Sequence, residues 1–265
     1  MCKSLSKYTK IFTVTISNSF TYLLERVLKT LFLIMILYIF TRLWKSAYEH
    51  SGGTIEGFTV ADMLWYLMFT ESLVTSRGRP EEKIDQEVKS GNIAYMLNKP
   101  YNYLMFQLSL WTGEFLPQLI INLLAGSVMV YFMVGPIKLN VLTFLPLIVT
   151  VILATLMEFF IRMSIGFSAF WLEDTNMASF IYHKIIFVFG GMLIPLDFFP
   201  PLFRTIASCL PFGFMVYEPA KLFIRFDWMH FLYVIKMQCL WVLVTGFICY
   251  FIYSMGLKRL NINGG

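Results

Sequence analysis

Long apolar runs separated by short polar links organise this chain. The runs cover about 30–41, 58–76, 103–134, 139–172, 177–195 and 228–257. Uninterrupted apolar stretches near 18 residues or more read as helices that cross a bilayer. The pattern predicts an all-α polytopic membrane protein with six transmembrane helices in a single domain, 1–265. The first run has only twelve uncharged residues, between Lys29 and Arg42. At ~1.5 Å per residue it crosses a core of about 30 Å only if those two basic side chains reach toward the two interfaces. Ahead of it, 1–21 is basic and rich in Ser and Thr, with Leu5, Tyr8, Phe12 and Ile16 at helical spacing. That pattern suits an interfacial helix on the cytoplasmic leaflet and equally a disordered tail.

Composition turns this pattern into an exclusion. Hydrophobic residues make up 58% of the chain, charged residues 14%, and mean hydropathy is +0.68. A soluble domain carries roughly a quarter of its residues charged, so this chain cannot cover itself against water. The net charge of +5 does not indicate nucleic acid, because the basic residues sit in the links between apolar runs. There they report orientation. The tail, the link after the second run (Arg77, Arg79, Lys83, Lys89, Lys99) and the end (Lys258, Arg259) hold ten Lys and Arg. The opposite links hold five: Lys45, Lys138, Arg204, Lys221 and Arg225. Both termini are therefore expected in the cytoplasm.

The link 77–100 is the most ordered in its patterning. Pro80 suits a first helical position, Glu81 and Glu82 the positive helix end, Lys89 the negative end, and Gly91 a left-handed cap. Asp85 with Lys89, and Lys83 with Glu87, are four apart and can pair. Ile84 and Val88 form a short apolar stripe. The segment reads as a solvated connecting helix or as a small rigid helix offered to a soluble partner.

Charges inside the runs are few. Glu158 and Arg162 share a helix face and are expected to pair, since an unpaired charge at depth costs at least ~2.5–3.5 kcal/mol. Glu114, just before Pro117, is a second deep candidate. Asp62 and Glu71 fall on opposite faces of the second run and are expected near the two interfaces. Histidines 50, 183 and 230 are dispersed, and Cys2, Cys209, Cys239 and Cys249 form no metal or redox motif, the last two reading as packing residues. No zinc-protease, serine-hydrolase or phosphate-loop motif occurs; Gly166-Phe-Ser168-Ala-Phe170 fails the hydrolase pattern at its last position. The chain is not expected to be an enzyme, and ATP-driven work requires another chain.

Between the last two runs, prolines 195, 200, 201, 211 and 219 forbid a continuous helix, yet the residues between them are apolar. Short re-entrant helices within an extracytoplasmic region, 196–227, satisfy both facts. The run GGMLIPLDFFPPLFRTIASCLPFGFMVYEPAKLF (Gly190 to Phe223) resembles the segment before the last span of ABC-2-type transporter permeases. KSGNIAYMLNKPYNY (Lys89 to Tyr103) and the ending GLKRLNINGG (Gly256 to Gly265) are similar to the same group of about 265 residues.

The resemblance implies the membrane subunit of an ABC exporter in a prokaryotic inner or plasma membrane. It implies a dimer with a second copy or a homologous permease, and two copies of an ABC ATPase subunit that bind ATP and Mg. This chain would bind no cofactor or metal itself, and no nucleic acid. The coupling helix maps onto Glu81, Glu82, Lys83, Ile84, Asp85, Glu87, Val88 and Lys89. Re-entrant helices map onto 198–217, making Phe198, Phe199 and Phe212, with Glu114, candidates for the substrate path. A proton-coupled secondary transporter using Glu114 or Glu158 is the alternative, though no internal repeat supports it.

Overall fold

The computed structural model describes residues 2–49, 53–137 and 140–263, with the side chains of 2–5 and 260–263 outside that description. Cys2, Lys3, Leu5, His50, Lys138, Leu139 and the two final glycines of the sequence reading therefore lie outside the described residues or side chains. In chain order the helices are α1 (Cys2–Ser19), α2 (Leu23–Glu49), α3 (Val60–Thr75), α4 (Pro80–Lys89), α5 (Asn92–Leu97) and α6 (Tyr103–Val134). They continue as α7 (Phe144–Phe167), α8 (Asn176–Phe189), α9 (Pro201–Ser208), α10 (Pro211–Met215), α11 (Tyr217–Ile224) and α12 (Trp228–Asn263). A two-residue hairpin, β1 (Thr54–Ile55) with β2 (Phe58–Thr59), is the sheet among the described residues. Among the described residues, three segments are long and apolar enough to cross a membrane: Tyr103–Val134, Val141–Phe170 and Trp228–Arg259.

Local chemistry sets the helix ends. Thr59 and Asp62 form a reciprocal capping box at the start of α3, each side chain bonding the other's backbone N–H. Asn102 caps α6 by accepting from the Met105 N–H. Pro80 opens α4, and the chain turns into α5 through Gly91 at φ 72°, a conformation that a side chain disfavours. Pro117 lies within α6 without ending it.

The helices stack around α3, of which eleven consecutive residues, Met63 to Leu73, are buried. Contacts fix the relative directions. Tyr8 meets Asn102, Thr15 meets Gly113, Arg26 meets Gln118, Thr30 meets Asn122 and Lys45 meets Met133. α1 and α2 thus follow α6 in succession and in the same direction. α3 runs opposite to α6, because Trp65 bonds the Gly135 carbonyl while Ser76 bonds Asn122. α7 and α12 are parallel neighbours: Gln238 bonds Thr150, Gly246 meets Phe160 and Gly256 meets Phe170. One end of the bundle holds α4 and α5; the other holds the hairpin, α9 and the start of α12.

Several expected boundaries move. The first run becomes a 27-residue helix, because α2 continues through Lys29 and Arg42 to Glu49. At ~1.5 Å per residue this is about 40 Å, so its length does not depend on two extended side chains. The fifth run is shorter than expected: α8 stops at Phe189, and Gly190–Gly191 lead into an irregular stretch before α9. Residues 2–19 form a helix that packs along the first half of α6. Cys249 is buried as expected, whereas Cys239 is exposed on the outer face of α12.

Candidate functional site

α4 divides into two faces. Glu81, Ile84, Asp85 and Glu87 turn inward; Lys83, Gln86 and Lys89 are exposed. The inward face sits close to α7 because position 166 is glycine: a Cβ there would lie 2.9 Å from the Ile84 Cβ and 3.2 Å from the Glu81 backbone. That approach delivers the Glu81 carboxylate to Arg162. Its Oε1 accepts from Arg162 Nη1 at 2.6 Å and from the Ser179 hydroxyl of α8 at 3.0 Å. Arg162 Nε donates to Glu158 Oε1 at 2.8 Å, and Glu158 Oε2 lies 2.5 Å from Arg77 Nε, just beyond the end of α3. Arg77 Nη2 donates to the Met215 carbonyl of α10 at 3.2 Å, and the Tyr182 ring covers the Arg162 guanidinium at 5.2 Å.

All four charged side chains are at most 4% exposed. Burying an ion costs several kcal/mol, which close pairing and added hydrogen bonds must offset. Two guanidiniums against two carboxylates leave no net charge. The chemical consequence is mechanical: the alternating ions join α4 to α7, α8 and α10 and to the exit of α3.

The second turn of α4 is fastened to α6. Glu87 Oε2 accepts from the Tyr103 hydroxyl at 2.5 Å, and the Gln107 amide donates to that hydroxyl at 2.9 Å. Asp85 pairs with Lys89 at 2.6 Å as the spacing predicts. The expected Lys83–Glu87 pair does not form, because Glu87 faces Tyr103 while Lys83 points outward. Val88 is only partly buried, and Glu82 pairs with Arg79 at the surface, 2.8 Å. Beside Lys83, Gln86 and Lys89, α5 exposes Asn92 and Tyr95, anchored beneath by buried Ile93.

A second polar system lies between α2, α3 and α6. Arg26 donates to Ser19, Gln118 and the Glu114 carbonyl; Gln118 and Thr30 bond Asn122, whose amide donates to Thr75 at 3.1 Å and Ser76 at 3.0 Å. Glu114 itself is exposed, on a cleft of about 430 Å³ between the α1–α2 elbow and α6. Its side chain lies on a face of α6 that the rest of the chain leaves open. Asp62 does sit at a helix end, paired with Arg225 at 2.6 Å. Glu71 does not. It is fully buried, and neither carboxylate oxygen has a hydrogen-bond partner.

At the far end, Asp197 gathers the segment between α8 and α12. It accepts from Tyr217 at 2.6 Å and Lys221 at 2.9 Å, while Arg204 bonds its carbonyl. Burial first, then the bond to Asp197, hold the Tyr217 hydroxyl well above its ordinary pKa, so it stays a neutral donor. Tyr66 and Thr70 of α3 donate to the Gly191 and Met192 carbonyls, satisfying backbone that has left the helix. Gln238 of α12 reaches in to the Phe214 carbonyl at 2.8 Å. The candidate path residues are not gathered in one place. Phe198 packs edge-on against Trp44 and Phe58, Phe199 against the cluster around α3, and Phe212 beside Tyr182. Glu114 lies on the separate cleft.

A family model described as an ABC-2 family transporter protein matches residues 30–264. The chain belongs to that family. No individual curated protein matches it. The chain is thus a membrane-embedded permease of an ABC-type transporter, and membership implies an ATPase partner. For the permease, sequence reasoning found Glu158, Arg162 and α4, but missed Arg77, Ser179, Tyr103 and Gln107. Arg77, the first charge after the second apolar run, was a visible signal; nothing in the sequence marks Ser179.

Proposed function

We propose that the permease is the membrane half of an ABC exporter, and that α4 receives the stroke of a separate ATP-binding subunit. The observation that carries this reading is the double fastening of α4, through Glu81 to Arg162 and Ser179 and through Glu87 to Tyr103 and Gln107. A helix that only linked two spans would need neither anchor. Fastened this way, a push on its exposed face moves α6, α7 and α8 together rather than bending a loop. Lys83, Gln86, Lys89, Asn92 and Tyr95 are the face offered to the partner.

In this reading α2, α3, α6, α7, α8 and α12 cross the membrane, and the α4 end with both termini faces the cytoplasm, as the Lys and Arg distribution favours. α8 crosses as a half-span completed by the irregular stretch held on Tyr66 and Thr70. α9, α10 and α11 re-enter from outside. Two permeases and two ATPases form the complex, and binding of ATP and Mg resides in the ATPases. Export, rather than import, is the direction that family resemblance favours.

One observation favours the secondary-transport alternative: Glu71 is a buried carboxylate without a partner, the type of group that takes up a proton. Glu158 is instead paired with both Arg77 and Arg162, and Glu114 is exposed beside the cleft at the α1–α2 elbow. Gentle purification from native membranes separates the readings. The exporter requires a stoichiometric ATPase chain that is lost when Lys83 and Gln86 are both changed to Glu. A folded permease with no ATPase chain, catalysing uptake driven by a proton gradient, would overturn it.

A further inference from the structure

The cleft of about 430 Å³ at the α1–α2 elbow is lined by four charged residues: Glu25, Arg26, Lys29 and Glu114. Glu25 and Lys29 already pair with each other at 2.6 Å. Arg26 is only 8% exposed. Its Nε donates to the Ser19 carbonyl at 2.8 Å, while Nη1 and Nη2 reach the Gln118 amide oxygen and the Glu114 carbonyl, both at 3.4 Å. Those bonds use three of the five N–H groups of a guanidinium, and among the described residues none goes to a carboxylate. Glu114 is exposed, and its carboxylate pairs with no described residue. One cleft thus presents a cation and an anion that do not bond each other.

We propose that the cleft binds a zwitterion carrying a phosphate and an ammonium group, with the phosphate on Arg26 and the ammonium on Glu114. This is the chemistry of a phosphatidylethanolamine headgroup and of its free counterpart, glycerophosphoethanolamine. The inference rests on the membrane placement above but not on the exporter assignment.

A buried ion without a counter-ion costs several kcal/mol, and two neutral contacts at 3.4 Å are long for N–H···O bonds and offset little of it. A phosphate matches the unused fork of the guanidinium. A simple anion would also meet the Glu114 charge, and like charges brought together are penalised. An amine on the same molecule turns that carboxylate into a second anchor. Size agrees: a water molecule's share of the liquid is ~30 Å³, so the cleft has room for far more than one inorganic ion. It falls within the range of about 300–1,000 Å³ found for small-molecule sites.

Depth favours a lipid as the source. From Arg26 to Glu49, α2 rises about 35 Å at ~1.5 Å per residue, close to a hydrocarbon core of about 30 Å. Arg26 therefore lies at one boundary of the core, the level of lipid phosphates. Tyr22, Leu23, Leu24 and Leu28, on the elbow and the first turns of α2, are each more than half exposed. They offer acyl chains an apolar surface beside the cleft.

The test uses the full-length permease, stripped of lipid in a maltoside detergent and offered phosphatidylethanolamine, phosphatidylglycerol and phosphatidylcholine of equal chain length. Native mass spectrometry counts the lipid retained per chain. Phosphatidylethanolamine should be retained at least about tenfold more strongly than the other two, because only its ammonium can donate hydrogen bonds to Glu114. Glu114→Gln alters an exposed side chain that ties no helices together, so folding is unaffected. It should bring retention of phosphatidylglycerol level with that of phosphatidylethanolamine. Arg26→Gln should lose both lipids, and the Glu114 variant decides the question even if Arg26→Gln proves too unstable to assay. Calorimetry with glycerophosphoethanolamine separates the two sources: binding of this solute without retention of lipid, again abolished by Glu114→Gln, supports the site with a free zwitterion as occupant. Equal retention of the three lipids, or a preference that survives Glu114→Gln, would overturn the proposal in favour of ordinary surrounding lipid. Failure of every probe to bind would overturn it in favour of a direct Arg26–Glu114 ion pair.

Discussion

Removing the Glu81 charge gives the sharpest test of the buried ion network. Glu81→Gln keeps the side-chain length but leaves Arg77 and Arg162 facing Glu158 alone, a net positive charge among groups at most 4% exposed. Breaking a buried pair by removing one partner costs about 3–5 kcal/mol. Here the remaining amide oxygen can still accept from Arg162 and Ser179, which places the expected loss near the lower figure, ~3 kcal/mol. Arg162→Met alone should cost a similar amount, because it strands Glu81 and half of Glu158. The double variant restores neutrality: Arg77 and Glu158 remain as a pair at 2.5 Å. It should therefore lose less than the two single losses combined, with a coupling of at least ~1.5 kcal/mol. Equilibrium unfolding in mixed micelles, followed by tryptophan emission, gives the four free energies. Additive losses, or a Glu81→Gln effect within ±0.5 kcal/mol of zero, would refute the claim that α4 is held by a closed set of charges.

Further outcomes follow from the same geometry. Lys83→Glu with Gln86→Glu should abolish co-purification of the ATPase while changing permease stability by less than ~0.5 kcal/mol, since both positions are exposed; a pull-down paired with an unfolding curve checks both halves. Gly166→Val should destabilise by about 1–3 kcal/mol through overpacking against Ile84 and the Glu81 backbone. It should also weaken the link between α4 and α7, read as ATP hydrolysis no longer stimulated by the permease. Glu71→Leu should leave stability unchanged or raise it, because the carboxylate has no partner to lose; a fall of more than ~1 kcal/mol in the same unfolding assay would reveal a partner or a role that the packing does not account for.

The membrane class of this protein was legible because it depends on composition and run length, which are properties of the chain alone. The third apolar run, 103–134, is a helix over those residues, and the segment 81–89 after the second run is α4 to within a residue. Both rest on local signals: a long apolar run in one case, Pro80 and Gly91 punctuation in the other. The i,i+4 rule found Glu158 with Arg162 and Asp85 with Lys89 for the same reason. It failed for Lys83 and Glu87 because a helix has several faces, and only the packing of α4 on α6 and α7 decides which one is buried.

What tertiary structure alone decided are the long-range partners. Glu81 lies 81 positions from Arg162 and 98 from Ser179, separations that carry no periodic signal. The burial of Glu71 and the exposure of Glu114 were hidden for a similar reason. Hydropathy averages over a helix and cannot tell its packed face from its open one, and here the acid of the central helix is buried while the acid beside Pro117 is exposed. The cleft at the α1–α2 elbow is likewise invisible in sequence, since it brings Arg26 and Glu114 together across 88 positions that carry no periodic relation.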